Sequence, residues 1–209
     1  MNRLDANTNI STDNGAIIQF VLGGARSGKS RLAEGLAQES GLQVHYIATA
    51  ENNDAEMDAR ITQHQYDRPT HWLLTEEPLN LAQAIEHAMN TDTCVLVDCL
   101  TLWVSNWLCS KQSDQWQAQK QNLLVVLQKA AEAKCQVILV SNEVGHGIVP
   151  LGELSRSFVD ESGWLHQEIA KIAHRVEFVM AGLPLTLKQI DMTNSSACKS
   201  SAVQLGATK

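Results

Sequence analysis

The chain has 209 residues, with 16 Lys and Arg against 23 Asp and Glu and a formal net charge of −7. That sign argues against a nucleic-acid partner held by bulk charge, and 44% hydrophobic with 19% charged residues excludes a wholly unstructured chain. No apolar run approaches the roughly 18 residues of a membrane helix, and Met1 to Gly15 lacks the apolar segment of a secretory signal, so the expectation is a cytoplasmic protein without a membrane span.

In chain order, residues 1–15 carry no hydrophobic period and are expected to form an N-terminal arm. Residues 16–188 read as a single folded domain, and residues 189–209 as a polar tail. Within the domain, Ile17–Leu22, Val44–Ala48, Cys94–Asp98, Gln136–Ser141 and Val176–Met180 are strand candidates, with Leu185–Leu187 as a final edge strand. Ser30–Glu39, Asp54–Gln65, Leu79–Met89, Gln115–Ala133 and Gly163–His174 carry helical patterns between them. The strands are too apolar to leave one face wet. The alternation predicts an α/β fold, a mainly parallel sheet with helices on both faces. Five cysteines, with no C-x-x-C pair, give no disulfide framework or zinc cluster.

The sharpest chemical signal is Gly23-Gly24-Ala25-Arg26-Ser27-Gly28-Lys29-Ser30, which fits G-x-x-x-x-G-K-[ST] between an apolar strand and a helix. In such a phosphate loop the glycines let backbone N–H groups converge on phosphate oxygens, and the following helix adds its positive end. Lys29 is then expected on the β- and γ-phosphates and the Ser30 hydroxyl on Mg²⁺. Asp98, closing CVLVD, is the acid expected to complete the metal shell. A glycine-rich turn with an exposed lysine is the plain competitor.

Two further segments are unusual. Glu56, Arg60 and His64 share one helical stripe at i, i+4, i+8, beside an apolar stripe of Met57 and Ile61. By spacing alone this is as readily a solvated face. Ser141-Asn142-Glu143-Val144-Gly145 follows an apolar strand, where open α/β sheets bind ligands. A turn-rich connection reads equally well.

Taken together, GGARSGKS, YIATA, EM-x-x-RI-x-x-H-x-x-x-RP-x-x-W and SNEVG-x-GIVP resemble the bifunctional adenosylcobinamide kinase / adenosylcobinamide-phosphate guanylyltransferase of cobalamin biosynthesis, over residues 17–188. The resemblance implies a RecA-like P-loop NTPase domain assembled as a homotrimer. It implies phosphorylation of the aminopropanol hydroxyl of adenosylcobinamide by ATP or GTP. Transfer of GMP from GTP through a guanylyl-histidine then gives adenosylcobinamide-GDP and pyrophosphate. Carried over by motif, the guanylylated histidine falls on His64, with Lys29 as the second catalytic residue. Nucleotide contacts fall on Gly23 to Ser30, on Ala48, Thr49 and Ala50, on Gln65, Tyr66, Asp67 and Arg68, and on Glu76 and Asp98. Competing functions are a P-loop kinase of a small metabolite, with His64 structural, and a GTP-dependent switch or binding protein.

Overall fold

Runs as apolar as IQFVLG and QVILVSN must be covered on both faces, and the structure, a computed structural model that describes residues 17–51 and 69–190, shows how. The strands are β1 (Ile18–Gly23), β2 (Gln43–Ala48), β3 (Leu73–Glu76), β4 (Thr93–Asp98), β5 (Gln136–Asn142), β6 (Arg175–Met180) and β7 (Leu183–Gln189). The helices are α1 (Lys29–Glu39), α2 (Leu81–Ala88), α3 (Leu100–Cys109), α4 (Trp116–Glu132) and α5 (Glu153–Ile172). The strands form one seven-stranded sheet in the order β3-β2-β4-β5-β1-β6-β7. Every pairing is parallel except β6–β7.

Alternate residues of the strands feed two cores. On one face Ile18, Phe20, Val95, Val97, Val137 and Leu139 meet Leu81, Trp103, Leu127 and Leu165 from α2 to α5. On the other, Val21, Leu96, Ile138 and Val140 meet Ala33, Leu36 and Ala37 of α1. Trp103 and Trp107 both donate their indole N–H to the Leu79 carbonyl at 2.8 Å, which fixes α3 against the start of α2. The fold is the expected RecA-like P-loop α/β architecture.

Several elements differ from the sequence expectations. Leu73–Glu76 is a strand that no alternating pattern announces, because it is short, at the sheet edge and mostly exposed. Leu100–Cys109 is a helix absent from the expected set, although Leu100, Trp103, Val104 and Trp107 keep i, i+3, i+4, i+7 spacing and are all buried. Helix α5 starts at Glu153 rather than Gly163, since residues 153–157 are exposed and the ten residues before Gly163 send only Phe158 against the core. The edge strand β7 is longer than Leu185–Leu187 and takes in Gln189. The expected Asp54–Gln65 helix lies outside the described residues.

Candidate active site

Parallel pairing brings the carboxyl ends of β1 to β5 to one edge of the sheet, and each candidate among the described residues sits at or just past one of them. The phosphate loop leaves β1 at Gly23 and enters α1 at Lys29. Gly28 caps α1 at φ +98°, a left-handed backbone that an L side chain rarely adopts, and no side chain fills the helix N-terminus. Ser27 N–H closes the turn onto the Gly24 carbonyl at 3.3 Å. Lys29 is 8% exposed and its Nζ donates to the same carbonyl at 3.3 Å, so the ammonium lies folded over the loop where a phosphate would meet it.

The loop is gripped by a segment distant from it in sequence. The two-residue turn between β6 and β7, Ala181-Gly182, has φ of +52° and +79°, the hairpin type whose twist suits its strands. Gly182 N–H donates to the Ser27 carbonyl at 2.8 Å. A Cβ on Gly23 would stand 2.5 Å from the Val179 carbonyl, and one on Gly28 would stand 3.3 Å from Gly182 Cα. Gly23 is therefore demanded by the close approach of β6 and of the Ser27 side chain, and Gly28 by its left-handed backbone, while a Cβ on Gly24 would meet nothing within 4 Å.

Asp98 ends β4, opposite Val140 of β5 and Ala48 of β2. Tyr46, buried on β2, donates its hydroxyl to Asp98 Oδ2 at 3.2 Å and holds the carboxylate in place. Burial and the neighbouring Asp98 charge push the Cys99 thiol up to about 11. Thr49 is fully buried, and its hydroxyl is used within the fold, donating to the Cys99 carbonyl at 2.7 Å and accepting from Cys99 N–H at 2.9 Å. Asn106 Nδ2 ties the Thr49 and Pro78 carbonyls together. Ala48 and Ala50 flank Thr49 at the same edge, half-buried.

Strands lie about 4.8 Å apart. Glu76, exposed at the end of β3, is four strand spacings from β1, about 19 Å. It cannot touch the phosphates that the loop holds, so the edge offers two separated regions rather than one cluster. His64, Gln65, Tyr66, Asp67 and Arg68 lie outside the described residues.

The sequence reading assigns no role to Glu143. Its backbone N–H donates to the Gly23 carbonyl at 3.1 Å, which places it directly beside the phosphate loop. Glu143 Oε1 accepts the Gly145 N–H at 2.6 Å, and Oε2 lies 3.8 Å from His166 Nδ1. Burial lowers the His166 pKa below its ordinary value, against the pull of the Glu143 carboxylate. The signal available in sequence was only the position of SNEVG after an apolar strand.

A phosphate loop on a parallel sheet, with a lysine over it and a carboxylate two strands away, defines a nucleotide-binding enzyme of the P-loop NTPase class. The chain belongs to the cobinamide kinase / cobinamide phosphate guanyltransferase family, whose model matches residues 19–187. It is 54% identical over 169 residues to the bifunctional adenosylcobalamin biosynthesis protein CobP of Pseudomonas aeruginosa, covering 81% of this chain and 96% of that one. It is 42% identical over 179 residues to the bifunctional adenosylcobalamin biosynthesis protein CobU of Escherichia coli, covering 81% of this chain and 98% of that one. Among solved structures, the flagellar accessory protein FlaH of Methanocaldococcus jannaschii matches with a TM-score of 0.50 and 14% identity, over 84% of this chain and 79% of that chain, a likeness of fold alone. Among the described residues, no helix is long and apolar enough to cross a membrane.

Proposed function

We propose that this enzyme phosphorylates the aminopropanol hydroxyl of adenosylcobinamide with ATP or GTP. It then transfers GMP from GTP, through a guanylyl-histidine at His64, to give adenosylcobinamide-GDP and pyrophosphate in the cytoplasm. The observation that carries the reading is the family match across residues 19–187, which spans the folded loop with Lys29 over it and the segment containing His64.

In the first reaction the acceptor oxygen attacks the γ-phosphorus and the bond to the β–γ bridging oxygen breaks. Lys29 and the loop amides offset the charge that gathers on the departing diphosphate. In the second, a neutral imidazole nitrogen of His64 attacks the α-phosphorus of GTP, and pyrophosphate leaves. The acceptor phosphate then displaces the imidazole. Splitting the transfer means that GTP and the corrinoid phosphate need not meet at once. The hydroxyl of Ser30 and the carboxylate of Asp98 are oxygen donors of the kind Mg²⁺ takes, and these two residues would hold it. Bound there, the ion would offset phosphate charge.

The contacts proposed for Gly23 to Ser30 follow the folded loop. Those proposed for Ala48, Thr49, Ala50, Gln65, Tyr66, Asp67, Arg68 and Glu76 belong to the guanylyl half of the reaction. A homotrimer is part of the same proposal. Met180, Leu183 and Leu185 on the outer strands are each more than 60% exposed, an apolar surface that a second copy would cover.

Incubating the protein with Mg²⁺ and α-³²P-labelled GTP tests the transfer. Acid-labile label on the wild type, absent from His64→Ala, is the expected result. No label on wild-type protein that demonstrably binds GTP refutes the guanylyl-histidine.

A further inference from the structure

The geometry points to Glu143 as the base that accepts the proton of the acceptor hydroxyl during phosphoryl transfer, with His166, Ser141 and Thr101 as the residues that position it. The inference rests on the kinase half of the proposed function.

Of the carboxylates at the strand ends, Glu143 is the one beside the phosphate loop. Strand β5 is the direct neighbour of β1, with Asn142 opposite Gly23, and Glu143 N–H is bonded to the Gly23 carbonyl at 3.1 Å. Asp98 is two strand spacings from β1, about 10 Å, and Glu76 is four, about 19 Å. Asp98 also has the Tyr46 hydroxyl on Oδ2. Glu143 is held by one oxygen only, since Oε1 takes the Gly145 N–H at 2.6 Å. Oε2 faces His166 Nδ1 at 3.8 Å, beyond hydrogen-bond length, and has no closer donor among the described residues. The side chain is 21% exposed, enough to meet a substrate and to return a proton to water.

Behind it runs a chain of polar contacts that satisfies every link in one direction. Asn142 N–H donates to Thr101 Oγ1 at 2.6 Å, and the Thr101 hydroxyl reaches Ser141 Oγ at 3.1 Å. The Ser141 hydroxyl reaches His166 Nε2 at 2.8 Å. Each hydroxyl can donate once along this path only if His166 is neutral with its proton on Nδ1, the nitrogen that faces Glu143. Ser141 and His166 are buried, so the orientation is imposed by α3, β5 and α5 together. The chain delivers a fixed dipole, not a proton, to the carboxylate.

The step balances without any further reactant. The acceptor O–H gives its proton to Glu143 Oε2 as its oxygen bonds to the γ-phosphorus. The bond from that phosphorus to the bridging oxygen breaks, and its electron pair leaves on the nucleoside diphosphate. Glu143 then releases the proton to solvent.

The test compares wild type with Glu143→Gln, using Mg-ATP and adenosylcobinamide, with circular dichroism to confirm folding. General-base catalysis contributes about 10²- to 10⁴-fold. The expected result is a kcat for corrinoid phosphorylation lowered by about that factor, with the KM for nucleotide changed less than about threefold. In Glu143→Ala, added formate restores part of the lost kcat, which a structural role would not allow. If Glu143→Gln does not fold, the kcat of Glu143→Ala without formate is read in its place. A kcat within about threefold of wild type, or a loss confined to nucleotide KM, overturns the assignment. Absence of corrinoid phosphorylation by the wild type refutes the kinase reading instead.

Discussion

Three glycines of one loop are predicted to respond very differently to a single added methyl group. For Gly28→Ala the backbone angle is the issue: φ is +98°, and a left-handed conformation costs a non-glycine residue about 1–2 kcal/mol. Its new Cβ would also press on Gly182 Cα at 3.3 Å, so the hairpin must yield slightly. At about 2–4 °C per kcal/mol for a chain of this size, the unfolding midpoint should fall by about 2–8 °C. Gly23→Ala is worse, since its Cβ would stand 2.5 Å from the Val179 carbonyl, a backbone atom that cannot swing away. Gly24→Ala meets nothing within 4 Å. It should leave the midpoint unchanged or raise it by up to about 4 °C, through the smaller entropy of its unfolded chain. The assay is thermal unfolding by circular dichroism in phosphate-free buffer without nucleotide, so that only the protein's own contacts are read. Equal falls for Gly24→Ala and Gly28→Ala would refute the claim that the left-handed backbone at Gly28 sets its requirement.

Other predictions concern titration, thiol chemistry and packing. Burial lowers the pKa of His45, His166 and His174 below 6.5 in the folded state, so between those lowered values and 6.5 the unfolded chain binds more protons. Urea-unfolding stability is therefore highest above pH 6.5 and falls as the pH drops from there. His166→Gln should flatten part of that slope, and an unaltered slope would refute its share. Cys94, pushed up to about 12 by burial, and Cys99, pushed up to about 11, should resist iodoacetamide at pH 8 in the native protein. Cys109 is exposed and should alkylate, as peptide mass mapping would show. Trp103 is fully buried, so Trp103→Ala should cost about 3–5 kcal/mol in denaturant unfolding. A cost under about 1 kcal/mol would mean that α3 is not seated as described.

Much of the architecture was legible because its signals are local. The apolar runs of β1, β4 and β5 announced a doubly covered sheet, and GGARSGKS announced its own loop and helix. What failed to announce itself did so for physical reasons. Leu73 and Leu74 are consecutive and both exposed, so β3 carries no alternation. The first turn of α5, residues 153–157, faces solvent, and only from Phe158 does the helix begin to meet the core. Helix α3 did carry a readable spacing, but it follows β4 after the single residue Cys99, where a loop is the natural expectation. At the site, Lys29 and Asp98 were visible as motif positions. Thr101, Ser141, His166 and Glu143 come from α3, β5, α5 and the turn after β5, and only folding assembles them.

The bond from Gly182 to Ser27 has a consequence for the order of events in synthesis. The loop that receives the nucleotide is made about 150 residues before the turn that fixes it. A nascent chain ending after α5 would hold β1, β4 and β5 but not the clamp on Ser27 and Gly28. Domains fold as units during translation only as their partners emerge. Nucleotide cannot be gripped in the final geometry until β6 and β7 have left the ribosome. The protein thereby gains its ligand late, when the sheet that surrounds the site is complete.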